Sequence, residues 1–155
     1  MPHQRVPSRF AGRSQGDLSG EVRRAGNDHL MKGIVAGCAL VAYADGWVTD
    51  EERDRMLGLI RAFEPIEAFN IKDVETAFEA LTDRFIADQQ AGETAALAAV
   101  ARLKGVDRYP ALLVETCCAI ADADGGFDEE ERNAAVRICK SLGLDAETFG
   151  LAEAP

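Results

Sequence analysis

The sequence predicts an all-α protein, a single compact helical domain of six or seven helices. Aromatic residues make up only 6% of the 155 residues, while alanine and leucine are plentiful, and this composition favours helix over sheet. Apolar residues recur at spacings of three and four, as in the run that contains Leu30, Ile34 and Cys38, so they share one face of a helix. No stretch shows the sustained alternation of apolar and polar residues that is typical of a half-buried strand.

Each predicted helix is defined by an apolar stripe and by residues that end helices. In chain order, the predicted helices cover residues 28–44, 49–63, 70–89, 93–104, 108–124 and 128–142, with a short terminal helix at 145–151. Gly46, Gly105 and Gly143 end the first, fourth and sixth of these, since glycine readily adopts the left-handed conformation that terminates a helix. Pro65 and Gly92 mark the ends of the second and third.

The helix starts are predicted from polar residues that accept backbone hydrogen bonds. Thr49 and Glu52 fit a capping box, in which each side chain satisfies a backbone N–H group of the other residue. Asp128 and Glu131 repeat this pair at the sixth helix. Asp107 is predicted to cap the helix that begins at residue 108.

Two regions of different character are predicted along the chain. Residues 1–20 are polar, rich in Arg, Ser, Gly and Pro, and without periodicity, so we expect them to form a mobile arm. Residues 21–155 are expected to form the helical domain.

The net charge and the cysteines limit the kinds of binding partner and the cellular compartment that are expected for the protein. The net charge is −10, so nucleic acid is not expected as a partner, while cations or a basic protein surface are suitable. No apolar run approaches the roughly 20 residues of a membrane span, so direct membrane insertion is not expected either. All four cysteines lie in apolar helical stretches with no Cys-x-x-Cys pair, which indicates buried, reduced thiols in a cytoplasmic protein: Cys38, Cys117, Cys118 and Cys139.

One acidic turn occurs twice at a constant offset, since 124 − 45 = 79 and 131 − 52 = 79. Two copies indicate a pair of pseudo-repeated helix-turn-helix units. Asp45 and Asp124 each stand at the last position of an apolar stripe, and Glu52 and Glu131 each stand at the first position of the next stripe. Each unit is therefore expected to place one Asp and one Glu on the inward side of a helical corner.

These four carboxylates carry the main functional expectation. A carboxylate turned towards a core is costly unless it is paired or bound, and Ca²⁺ and Mg²⁺ prefer oxygen ligands. We therefore expect Asp45, Glu52, Asp124 and Glu131 to be metal ligands, with helix capping and contact with another protein as the alternatives. The turn is not a true EF-hand, because Ile120 occupies the position of the first ligand.

Other catalytic chemistry is not indicated. The sequence has no activated nucleophile, phosphate-binding glycine loop or zinc-ligand spacing. No catalytic or cofactor-binding residues are therefore predicted, and the chain is not expected to be an enzyme.

Five motifs follow one another between about residue 30 and residue 151: LMKGIVAGCALVAYADG (30–46), DEER (50–53), IADADGGFDEEER (120–132), SLGLD (141–145) and FGL (149–151). In their order and spacing they resemble the tellurite-resistance TerB family. The resemblance implies a small helical cytosolic domain that acts with other tellurium-resistance and stress-response proteins, including a membrane-bound protein and calcium-binding partners. It also implies that Asp45, Glu52, Asp124 and Glu131 form a metal-binding or interaction surface.

The sequence thus predicts a non-enzymatic cytoplasmic module of tellurite or stress resistance. We expect it to bind a divalent cation, Ca²⁺ or Mg²⁺, through the duplicated acidic corners. The alternative is an acidic protein-interaction scaffold with no metal site.

Overall fold

The computed structural model describes residues 15–25, 28–46 and 48–151. These residues form α-helices and two 3₁₀ helices and include no β-strand, which confirms the all-α prediction. The α-helices are α1 (Gln15–Ala25), α2 (Asp28–Ala42), α3 (Asp50–Ala62), α4 (Ile71–Ala87), α5 (Gln89–Ala101), α6 (Tyr109–Ala123) and α7 (Glu129–Leu142). The 3₁₀ helices are Glu64–Ala68 and Ala146–Phe149.

Helix α2 is the centre of the fold, because it packs against α4, α5, α6 and α7. Of its 15 residues, all from Leu30 to Val41 except Lys32 are buried. Gly33 and Gly37 permit this close packing: a Cβ atom on Gly33 would lie 2.6 Å from Leu103 Cδ1. The periodic apolar stripe predicted for this segment is therefore part of a helix that is buried almost all round.

Helix α1 differs from the prediction of a mobile arm over residues 1–20. Residues 15–20 are helical, and Leu18 and Val22 are buried in the main core. The Nε–H group of Arg108 donates a hydrogen bond to Glu21 at 3.1 Å, which connects α1 to the start of α6. Two apolar residues four apart gave too weak a periodic signal to predict this helix. Residues 1–14 lie outside the described residues.

Two predicted helix boundaries were also wrong. Helix α5 begins at Gln89, with Asp88 as its N-cap, so Gly92 lies inside the helix and does not precede it. A Cβ atom on Gly92 would lie 2.4 Å from Phe85 Cγ, which shows that this glycine is a packing residue between α4 and α5. Asp107 has a positive φ of 42° and does not cap α6, whose N-cap residue Arg108 makes no side-chain capping bond.

Candidate functional site

Two corners, one between α2 and α3 and one between α6 and α7, contain the repeated acidic turn. Gly46 has φ 97° and Gly125 has φ 93°, a conformation that glycine adopts without steric cost. Thr49 and Asp128 then cap α3 and α7, each in extended backbone conformation. The two turns therefore share their backbone pattern, while the duplication itself stays a prediction.

The second corner contains a complete capping box, and both residues of the box are buried. Asp128 Oδ1 accepts a hydrogen bond from the N–H group of Glu131 at 2.7 Å. Glu131 Oε1 accepts one from the N–H group of Asp128 at 3.0 Å. Asp128 is 6% exposed and Glu131 is 7% exposed, so these bonds replace hydration that the fold removes.

The first corner is more exposed and its box is only half formed. Thr49 Oγ1 accepts a hydrogen bond from the N–H group of Glu52 at 3.1 Å, as predicted. The return bond differs, because Glu52 Oε1 accepts from the Thr49 hydroxyl at 3.0 Å instead of from its backbone N–H group. Glu52 is exposed, whereas its counterpart Glu131 is buried.

An outer cavity of about 140 Å³ lies between α3 and the second corner. Glu52, Asp124 and Glu131 line it together with Arg55 and Met56. The structure therefore brings together three of the four carboxylates that the sequence selected. The fourth, Asp45, is exposed and does not line this cavity.

Arg55 is a site residue that the sequence analysis missed. Its guanidinium Nη2 donates a hydrogen bond to Asp124 Oδ1, and this forms an ion pair between α3 and the end of α6. The side chain of Arg55 is 57% exposed and that of Asp124 is 15% exposed, so the pair lies at the mouth of the outer cavity. Arg55 lies three residues after Glu52, and this spacing could have indicated that the two side chains share one face of α3.

The carboxylates of the outer cavity already have partners in this arrangement. Asp124 pairs with Arg55, and Glu52 and Glu131 accept the capping bonds. Within the described ranges, no three His, Cys, Asp or Glu side chains are grouped closely enough to hold a metal ion. A cation ligated by these residues would therefore have to displace the guanidinium of Arg55.

A smaller inner cavity of about 10 Å³ adjoins the outer one and shares Met56, Asp124 and Glu131 with it. Cys38 from α2 and Cys117 from α6 line its apolar part. A hydrogen-bonding interaction with Cys38, in which the protonated Cys117 thiol is the donor, and burial raise the pKa of Cys117 well above its usual value. The four cysteines are buried and none is in a disulfide, which confirms the prediction of buried, unbridged thiols.

The fold and the site define a helical domain with an acidic corner and an arginine counter-ion. None of the helices in the described part of the chain is both long and apolar enough to cross a membrane. The family model described as "Tellurite resistance protein TerB" matches residues 31–154, and the chain belongs to this family.

A relative named "Tellurium resistance protein TerB", from Alcaligenes sp, is 32% identical over 88 residues. The match covers 57% of this chain and 72% of the relative. No solved structure gives a significant match. The family membership associates the chain with tellurite resistance, as the sequence motifs predicted.

Proposed function

We propose that the protein is a non-enzymatic cytoplasmic module of tellurite resistance whose outer cavity binds a divalent cation, Ca²⁺ or Mg²⁺. The observation that carries the proposal is that Glu52, Asp124 and Glu131 line one cavity; a bound cation would draw their carboxylates closer together than they lie here. Carboxylate oxygens are the ligands that both ions prefer. Family membership supports the wider role in tellurite resistance.

Arg55 is the counter-ion that the divalent cation replaces. An ion pair with a largely exposed partner contributes only about 0.2–1 kcal/mol, so its displacement costs little. A cavity of about 140 Å³ has room for a cation that keeps several water ligands. A carboxylate has about four lone-pair sites, so Glu52 and Glu131 can keep their capping bonds and still ligate.

Thermal unfolding with and without millimolar Ca²⁺ or Mg²⁺ tests the proposal. A cation at a hundred times its Kd stabilises the folded state by about 2.7 kcal/mol, which raises the Tm of a chain of this size by roughly 5–11 °C. Asp124→Asn, Glu131→Gln and Glu52→Gln should each reduce this rise. Arg55→Gln should enlarge it at subsaturating cation, because the competing guanidinium is removed.

Asp45→Asn is the matched control. It removes one carboxylate of the same repeated turn, but this residue does not line the outer cavity. The variant should keep the wild-type response to cation. Identical melting curves of the wild-type protein in cation and in chelator would refute the divalent-cation site.

The second candidate function is an acidic scaffold that contacts another protein. The observation that favours it is the exposure of carboxylates in the first turns of α3 and α7: Asp50, Glu51, Glu129 and Glu130. The expected partners are other tellurium-resistance proteins, including a membrane-bound one. Charge reversal by Glu129→Lys and Glu130→Lys should abolish salt-sensitive binding to such a partner, and unchanged binding would contradict the scaffold.

A further inference from the structure

Three sulfur-containing side chains meet at the inner cavity. Cys38 on α2, Met56 on α3 and Cys117 on α6 line it, so each of three helices supplies one sulfur-containing side chain. The cavity volume of about 10 Å³ is close to the smallest space that holds one water molecule. It therefore has room for one atom-sized occupant among these side chains.

The fold positions these sulfurs through a local glycine. A Cβ atom on Gly37 would lie 2.8 Å from the sulfur of Cys117, so the missing side chain allows Cys117 to lie against α2. Cys38, the neighbour of Gly37, lines the same inner cavity as Cys117. The packing of α2 on α6 thus places both cysteines at the same cavity.

We propose that Cys38, Cys117 and Met56 form a binding site for a soft monovalent cation of the Cu(I) class. Thiolate and thioether ligands select Cu(I), whereas hard divalent ions prefer the oxygen atoms of the outer cavity. Coordination by both thiolates releases two protons to solvent and leaves one net negative charge at the site.

The inner cavity lies next to the acidic outer cavity. The two share Met56, Asp124 and Glu131 as lining residues, so a cation in the outer cavity is adjacent to the proposed site. Negative side chains in the outer cavity raise the local concentration of cations. The thioether of Met56 lies at the junction of the two cavities.

The test is a competition titration of the reduced protein, without oxygen, against a chromogenic Cu(I)-specific chelator. The wild-type protein should remove one Cu(I) per chain. Cys38→Ser and Cys117→Ser should each weaken binding by at least about tenfold, a loss that even changes outside the ligand shell can cause. Met56→Leu should weaken it less, since it removes one thioether and keeps an apolar side chain of similar size.

Two other cysteines provide matched controls. Cys118 and Cys139 are also buried but do not line the inner cavity, so Cys118→Ser and Cys139→Ser should keep wild-type affinity. Glu52→Gln changes a side chain that lines only the outer cavity, so it should also keep wild-type Cu(I) affinity, and failure of the divalent-cation proposal is distinguishable from failure of this one. Wild-type affinity in Cys38→Ser and Cys117→Ser, or wild-type protein that removes no Cu(I), would overturn the proposal.

A measurement on the wild-type protein tests the proposal even if the variants do not fold. X-ray absorption of the wild-type protein loaded with one Cu(I) should show two or three sulfur neighbours and no nitrogen or oxygen ligand. Circular dichroism of each variant shows whether it is folded before titration. A copper environment dominated by nitrogen or oxygen would refute the three-sulfur site even if every variant were lost.

Discussion

The two capping residues of the repeated turn, Thr49 and Asp128, should differ in their contribution to stability. Both side chains accept a hydrogen bond from the backbone N–H group three residues later. The Asp128 bond is buried, with both partners less than a tenth exposed, whereas the Thr49 bond lies at an exposed corner. The matched perturbations are Asp128→Ala and Thr49→Ala.

The structure gives the expected magnitudes. Asp128→Ala leaves the N–H group of Glu131 buried without its acceptor, which costs about 1–3 kcal/mol. Thr49→Ala leaves an N–H group that water can reach, and should cost about 0.5–1 kcal/mol, the lower part of the range for N-cap substitutions. In a chain of this size the Tm should therefore fall by about 2–12 °C for Asp128→Ala and by about 1–4 °C for Thr49→Ala.

Chemical denaturation measures the change in the free energy of unfolding of each variant, and thermal melting measures the change in its Tm. Asp128→Asn is the control, because asparagine keeps an oxygen acceptor at the N-cap, and it should cost less than about 1 kcal/mol. All four proteins should be compared in chelator, so that capping is separated from cation binding. An equal or larger cost for Thr49→Ala, or an Asp128→Asn variant as unstable as Asp128→Ala, would refute the reasoning from burial.

The remaining predictions concern α1 and the buried thiols. Leu18→Ala should lower the free energy of unfolding by about 2–5 kcal/mol, because Leu18 is 1% exposed. The control Ile86→Ala, at a residue that is 63% exposed, should change it by about 0.5 kcal/mol or less. Denaturant titrations measure both, and equal effects would contradict the packing of α1. Burial raises the pKa of Cys139 from 9.0 to about 11, so the unfolded state loses this proton first and the free energy of unfolding should fall as pH rises between those values. The denaturation midpoint of the reduced protein should fall less steeply over that interval in Cys139→Ala, and an unchanged slope would count against the shift.

The helices that the sequence predicted correctly combine a long apolar stripe with clear end residues. Helix α7 is the best case, since Asp128 caps it and Gly143, with φ 73°, ends it as predicted. Helix α1 was not predicted, because Leu18 and Val22, the buried residues among its described side chains, form too short an apolar stripe. Gly92 was wrongly predicted to end a helix, because the sequence does not distinguish a glycine that close packing requires from a glycine that terminates a helix.

The candidate site was predicted in part for a related reason. The sequence places Asp45 and Asp124 at equivalent positions, yet only Asp124 lines the outer cavity. Which of two similar turns becomes buried depends on the helices that cover it, and local spacing does not contain this information. Arg55 was not predicted as a site residue, because its role depends on the ion pair with Asp124, which is 69 residues away in the chain.

The position of both cavities follows from the composition of α3. Seven of its 13 residues are charged, and only Ile60 is fully buried, while Met56, Leu57 and Leu59 are half-buried. Close packing normally eliminates voids between helices, so space remains where a helix has too few apolar side chains to fill it. On this polar helix Glu52 and Arg55 face the outer cavity, and Met56 reaches both cavities. The same charged residues that weaken the packing of α3 thus supply the polar groups of the candidate site.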